Sequence, residues 1–210
     1  IWESSVLSKR IISWILNVDI ILNNSSFDFK RNFLNSIIAQ TNHLKKNIRF
    51  EKDYTKRIEI LTALILSGLV FREYVENYNI GIKELDKLVK NYFDSTGFPL
   101  TRNPSDLIFF SKYLLLSKEC IKDAQQYIPD FLETIIDKNL ICIKNLSTPK
   151  NSIPLFNGGT EEDLEEFNKF INALNYKSKD KKHMIGGISI FNIKNNICLL
   201  YTSDAADEED

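Results

Sequence analysis

Apolar residues recur every three or four positions along almost the whole chain up to about residue 175, the spacing of one buried helix face. The first such stripe holds Leu7, Ile11, Trp14, Ile15 and Val18, with Ser4 or Ser5 as its expected cap. A second starts at Ser25 or Ser26, buries Phe29, Phe33, Ile37 and Ile38, and carries Lys45 and Lys46 in its last turn, where cations suit the helix dipole. A third starts at Asp53 or Thr55 and runs through Ile58, Leu61, Leu64, Ile65 and Leu69. It is apolar on most sides, which predicts a helix with neighbours on both flanks.

The pattern predicts a fourth helix from about Ile82 to Phe93, stopped at Asp94-Ser-Thr-Gly97 with Gly97 left-handed. Asn103-Pro104 opens the next, Asn as cap and Pro at the first helical position, with Leu107, Phe110, Leu114 and Ile121 inside. Pro129 begins another with Phe131, Leu132, Ile135 and Ile136. Thr160-Glu-Glu-Asp163 has the form of a capping box for a last helix through Leu164, Phe167, Phe170 and Ile171. Helices of this length on short links predict paired antiparallel helices, in a bundle or a helical array. No fixed period repeats a motif, which argues against tetratricopeptide and ankyrin solenoids. Beyond the polar stretch 177–182 the period changes to two: Gly186-Gly-Ile-Ser-Ile-Phe-Asn-Ile193 predicts a strand entered at glycine, followed by a turn at Asn195-Asn196.

Composition narrows this picture. Seven Gly and five Pro among 210 residues are few for an all-β chain. With 27 Lys and Arg against 28 Asp and Glu, net charge gives no argument for nucleic acid. The longest apolar stretch, 60–71, is interrupted by Thr62, Ser67 and Gly68 and is too short to span a bilayer. Cys120 and Cys142 lack metal-ligand spacing and read as buried thiols. The excess of Ile, Asn and Lys, all with AT-rich codons, reads as genome composition. The chain opens at Ile1 without an initiator Met or a leader, so a fragment is expected, with its address unreadable.

The run Cys198-Leu-Leu-Tyr-Thr-Ser-Asp-Ala-Ala-Asp-Glu208 breaks with this habit and resembles the translation of a transposon-end adapter from sequencing libraries. Residues 198–210 are therefore expected to lack native packing. Setting them aside leaves 23 acids against 27 bases, a mildly basic chain.

A helical region giving way to a β segment has the order found in the heparinase II/III-like family, and an ordered series of segments resembles bacterial members of it. The segments are Arg10-Ile-Ile-Ser-Trp-Ile-Leu-Asn17, Gln40-Thr-Asn-His-Leu-Lys-Lys46, Leu66-Ser-Gly-Leu-Val-Phe71, Asp94-Ser-Thr-Gly-Phe-Pro-Leu-Thr-Arg-Asn-Pro104 and Pro154-Leu-Phe-Asn-Gly158. The resemblance spans roughly residues 1–197. It implies an all-α fold, an incomplete α/α toroid of antiparallel helix hairpins over 1–175. A linker and the first strand or strands of a truncated β-sandwich domain follow over 176–197. It also implies a periplasmic protein whose partners are an anionic polysaccharide and its own β-sandwich. Nothing in the sequence suggests a cofactor, no metal ligands are expected in this chain, and a metal would have to be held largely by the absent β domain.

Family members with known chemistry cleave uronic-acid polymers by β-elimination. A donor or cation neutralises the sugar carboxylate, a base takes the adjacent proton, and an acid protonates the leaving oxygen. The resemblance implies Asn42 as the donor to the carboxylate and His43 as a neutralising or proton-transferring group, while the residues alone read as the exposed end of a basic helix. It further implies Arg102, Asn103 and Asn157 as substrate-binding residues: a guanidinium grips carboxylates in two-pronged fashion, and Asn157-Gly158-Gly159 precedes a helix N-terminus where backbone donors meet anions. Read alone, Arg102 is an exposed loop cation and Asn157-Gly158-Gly159 a simple turn.

One departure stands out. Active lyases follow this segment with a Tyr-His sequence, but here Asn103-Pro104 is followed by Ser105-Asp106-Leu107, and Tyr113 lies two turns on. Tyr74, Tyr78 and Tyr92 read as packing residues, and His183, in a run of lysines, as solvated. Three functions remain open: a lyase acting on anionic polysaccharide, a module that binds such a polymer without cleaving it, and a helical interaction scaffold.

Overall fold

The computed structural model describes residues 2–148, 151–161, 164–176, 184–193 and 196–201. It is mostly helical with a small three-stranded sheet. The described helices are α1 (Ser4–Leu16), α2 (Val18–Leu22), α3 (Phe27–Asn47), α4 (Tyr54–Val70), α5 (Val75–Tyr92), α6 (Pro104–Asp123), α7 (Asp130–Leu146) and α8 (Leu164–Ala173); the strands are β1 (Met184–Ile185), β2 (Ile188–Ile193) and β3 (Asn196–Tyr201). The chain forms two compact units: Ile1–Val89 with Tyr113–Pro129, and Lys90–Lys112 with Asp130–Asp210.

In the first unit, caps set the helix starts. Ser26 accepts from the Phe29 amide and Asp53 from the Thr55 amide, as the sequence pattern predicts. The cap of α1 is instead Glu3, whose carboxylate accepts from Val6 N at 2.9 Å. That bond and the Ser5 amide outweigh the small opposing effect of burial and hold Glu3 below its ordinary carboxylate value. The first stripe does not run on to Val18 as one helix. The Asn17 side chain donates to the Ser13 carbonyl at 2.8 Å, and the chain breaks there into α1 and α2.

Contacts fix the directions of the helices in this unit. Glu3 meets Lys56 and Lys9 meets Glu59, while Ile15 shares a groove with Leu66 and Val70, so α1 and α4 rise together. Tyr113 meets Glu59 and Ser117 meets Thr62, so α6 runs parallel to α4 as well. On α5 the order is reversed: Tyr78 lies against Gly68, Gly81 against Ile65 and Glu84 against Arg57. The same holds for α3 against α1, where Phe33 meets Trp14, Gln40 meets Arg10 and His43 meets Trp2. Three parallel helices thus carry two antiparallel ones, and α4 lies in the middle. That explains why every residue from Ile58 to Gly68 is buried.

Two further expectations for this unit need correction. Phe29, expected inside, is exposed and stacks on the buried Phe33, with ring centroids 6.2 Å apart. The fourth helix starts at Val75 instead of Ile82, seven residues earlier. Gly81 lies within α5, where a Cβ would come within 2.7 Å of Ile65 Cγ1. Its absence lets α4 and α5 approach closely.

In the second unit, Pro104 is the first residue of α6, as the sequence pattern predicts, and Asn103 Oδ1 accepts from Ser105 N at 2.9 Å. The connection before it is tighter than a helix stop. Phe93 and Pro99 form a β-bridge, and Gly97 (φ +87°) turns between them. The expected capping box falls partly on Glu162 and Asp163, which lie outside the described residues, as do Asn195 and His183. Phe167 is buried in α8, but Phe170 is exposed.

The antiparallel sheet has the order β1-β2-β3, and Ile185, Ile188 and Ile190 are buried while Phe191 faces out. The expectation that packing ends at Ile197 is overturned for four residues. Cys198–Tyr201 pair with β2 in the register Phe191↔Cys198, Ile190↔Leu199, Ser189↔Leu200 and Ile188↔Tyr201. The ladder hydrogen bonds of such a pair are made by main-chain groups. Residues 202–210 lie outside the described residues.

Candidate functional site

Three of the five residues singled out from the sequence meet in the second unit. Arg102, Asn103 and Asn157 surround the connection between α5 and α6, where two carboxylates collect the donors. Asp94 Oδ1 accepts from Thr96 N (2.8 Å), Thr96 Oγ1 (2.6 Å) and Phe98 N (3.0 Å), and Asp94 Oδ2 takes Arg102 Nη1. Burial pushes the Asp94 carboxyl up, but hydrogen bonds from Thr96, Arg102 and Phe98 outweigh it and hold the group below its ordinary value. Asp106 Oδ2 accepts from Tyr92 OH and Thr101 Oγ1, both at 2.7 Å, and Asp106 Oδ1 lies 3.4 Å from Asn103 Nδ2.

Arg102 is therefore not the exposed loop cation that the sequence alone suggests. Its side chain is mostly covered, its φ is +56°, and its guanidinium is committed to Asp94. The Arg102 carbonyl accepts from Asn157 Nδ2 at 3.3 Å, which ties the 156–159 turn to the same place. Ser105 and Thr160 add a second tie, Thr160 N donating to Ser105 Oγ at 2.8 Å. Gly186 N donates to Thr96 Oγ1 at 3.2 Å, so the sheet is seated on this loop too. A Cβ at Gly186 would stand 2.8 Å from Arg102 Nη1. On the other side Cys142 Sγ reaches the Thr96 carbonyl at 3.4 Å, and Asn139, with its amide turned to satisfy both groups, donates to the carbonyls of Gly97 and Ile135. The loop from Asp94 to Asn103 is a junction to which α7, the 156–160 segment and the sheet are all tied.

Asn42 and His43 belong to the first unit, in the second half of α3. Both are half-buried. The His43 ring lies 5.0 Å from that of Trp2, tilted by 54°. The half-buried Asn42 amide makes no side-chain hydrogen bond among the described residues.

The same unit holds a group that sequence reasoning missed. Glu59 is 3% exposed on α4; its Oε1 pairs with Lys9 at 3.1 Å and accepts from Tyr113 OH at 3.2 Å, and its Oε2 is buried without a hydrogen bond. Burial, then the Glu59 charge, push the Tyr113 phenol well above its ordinary value. A signal was present in the sequence: Glu59 is the one charge in the otherwise uncharged run from Ile58 to Phe71. Burial alone raises Tyr78 in the same direction.

Cys120 is half-buried, and burial followed by Asp123 and Glu119 raises its thiol to about 11, which leaves it a poor nucleophile. Among the described residues, no group of three or more His, Cys, Asp or Glu is placed to hold a metal ion, and no helix is long and apolar enough to cross a membrane.

What the arrangement offers chemically is amide, hydroxyl and guanidinium donors around two satisfied carboxylates, with tyrosine hydroxyls acting as donors. Compared with models of known protein families, with curated proteins and with solved structures, the chain finds no match in any of the three.

Proposed function

We propose that this chain is the helical part of a heparinase II/III-like protein and that it holds an anionic polysaccharide without itself carrying out β-elimination. The observation that carries the second half is the state of Tyr113. It is the first tyrosine after Asn103-Pro104, where active lyases place their Tyr. Its hydroxyl donates to a buried carboxylate that pushes its proton affinity up. A phenol serves as a base only when its pKa is lowered towards working pH, which needs nearby cations. Glu59 supplies the opposite charge. Tyr92, the last residue of α5, likewise donates to Asp106.

The toroid reading draws support from the alternating directions of α1, α3, α4, α5 and α6. Such alternation sets every second helix parallel to the one two before it, as stacked helix hairpins require. Asn42 and His43 remain the proposed contacts to the sugar carboxylate in the first unit, with Asn157 in the second. In this reading Arg102 acts through Asp94, shaping the loop that presents Asn157.

Binding and elimination are separated by two measurements on one sample. Isothermal titration with polygalacturonate and with heparin is expected to show binding. Ultraviolet absorbance, which reports the unsaturated uronate left by elimination, is expected to stay flat. Sustained absorbance growth would overturn the non-catalytic reading, and absence of binding to either polymer would overturn the polysaccharide reading.

A second reading has one observation in its favour. The sheet is seated on the Asp94 loop through Gly186, so a larger β domain continuing from it would bring its own side chains to Asn157. A lyase whose base comes from that domain would form product only when the domain is present.

A further inference from the structure

The solvent face of α3 differs in charge from the rest of the chain. From Phe29 to Phe50 there are five Lys or Arg and no Asp or Glu, in a chain that as a whole has 27 bases against 28 acids. Helical geometry sorts these residues. Asn32, Asn35, Ala39, Asn42 and Lys46 follow one another at steps of three and four, so they form one stripe. Asn32, Asn35, Ala39 and Lys46 are exposed, and Asn42 is half-buried among them. Arg49, exposed in the 3-10 turn Ile48–Phe50, continues the line with its guanidinium 4.7 Å from the Phe50 ring centroid. At the other end Arg31 is held by Asp28 and lies over Phe27. Lys45, beside the stripe, is taken up by Glu76 of α5.

We infer that this stripe of α3, Asn32–Asn35–Asn42–Lys46–Arg49, is a docking surface for an extended anionic polysaccharide, with the chain lying along the helix. The inference rests on the binding reading above and names the surface that does the binding. Amides spaced along a helix offer both donors and acceptors to sugar hydroxyls. Lys46 and Arg49 answer carboxylates or sulfates, and Arg also stacks on a ring through the face it shares with Phe50. Asn35 and Asn42 are seven residues apart, about 10 Å along the axis, so they meet successive parts of a polymer and not one small molecule. The absence of any carboxylate along the stripe selects against polycations.

The test uses the full chain and three proteins: the parent, a Lys46→Ala/Arg49→Ala variant, and a Lys122→Ala/Lys169→Ala variant that removes equal charge away from α3. All substituted positions are on the surface, and far-ultraviolet circular dichroism verifies that the helices are retained. Affinities for polygalacturonate, heparin, neutral dextran and double-stranded DNA are measured at low salt. The α3 variant is expected to bind polygalacturonate and heparin roughly tenfold more weakly, the sum of two exposed ion pairs, with a shallower salt dependence. The control variant is expected to bind within about twofold of the parent, within the scatter of exposed ion pairs. Equal losses in both variants, or none in either, would overturn the surface while leaving the binding reading intact. Parent affinity for DNA matching that for the glycans would overturn the saccharide occupant. A parent that retains neither glycan would overturn both the surface and the reading on which it rests.

Discussion

Asp94 shows how one carboxylate can set the conformation of a ten-residue loop. Its Oδ1 accepts from the amide and the hydroxyl of Thr96 at 2.8 and 2.6 Å, and Asp53 makes the same pair of bonds to Thr55 at the same distances. Asp-x-Thr is thus legible twice in this sequence. At 53 it caps a helix, as the pattern predicts; at 94 the pattern predicts only a helix stop, because the partner that distinguishes the two, Arg102, is eight residues away. Asp94→Asn is expected to destabilise the protein by about 2 kcal/mol, the cost of a charged hydrogen-bond acceptor lost from a mostly buried site. Urea denaturation at pH 7 measures it. Asp94 has a depressed folded pKa, so its contribution is fully present above the unfolded value of about 3.9 and is lost as pH falls through the lower folded value. The gap between parent and variant should therefore close in acid and stay constant from pH 6 to 8. Tyr113→Phe, which takes one donor from Glu59, is expected to cost about 1 kcal/mol and to leave glycan affinity unchanged. A large drop in affinity would place Tyr113 in the binding surface.

Among the elements, what the sequence revealed and what it hid follow one rule. Helices whose burial is one-sided or complete, α3 and α4, announce themselves through spacing and a capping side chain. The first turns of α5 are hidden from the pattern by Gly81: glycine costs a helix about 1 kcal/mol relative to alanine, and only the partner helix explains its presence. At Gly68 the approach is closer still, since a Cβ there would stand 2.3 Å from the Tyr78 backbone nitrogen. Gly68→Ala is expected to lower stability by about 3 kcal/mol, at the upper end of overpacking, and to reduce the melting temperature by several degrees. Gly81→Ala is expected to cost less, because its nearest obstacle is the Ile65 side chain, which can shift. The candidate site was legible as residue types and not as bonds. Nothing local in the sequence says that Arg102 is spent on Asp94 or that Asn157 binds the Arg102 carbonyl, because those partners meet only after the fold closes.

On the scale of the whole chain, the sheet is the least predictable part. Four of the six β2–β3 pairs use Cys198–Tyr201, a segment whose composition marked it for exclusion. Removing residues 198–210 is expected to unpair β2 and raise the protease sensitivity of the Gly186–Ile193 segment, while circular dichroism keeps its helical form. Unchanged protease sensitivity would show that β3 contributes nothing to the sheet.

The central place of α4 has a consequence for how this protein breathes and how its sequence can drift. From Ile58 to Gly68 no side chain faces water, so no small local fluctuation exposes those amides; they open only when neighbouring helices leave. In deuterium exchange they should be the last amides of the first unit to take up label, with a protection that reports the unit's global opening and not local fraying. The same enclosure removes the usual freedom of a helix to vary one face. Ten of these eleven positions can exchange only for residues of similar size and matching polarity. Glu59 is the exception: its carboxylate is buried against Lys9 and Tyr113, so removing either partner leaves a buried charge less well satisfied.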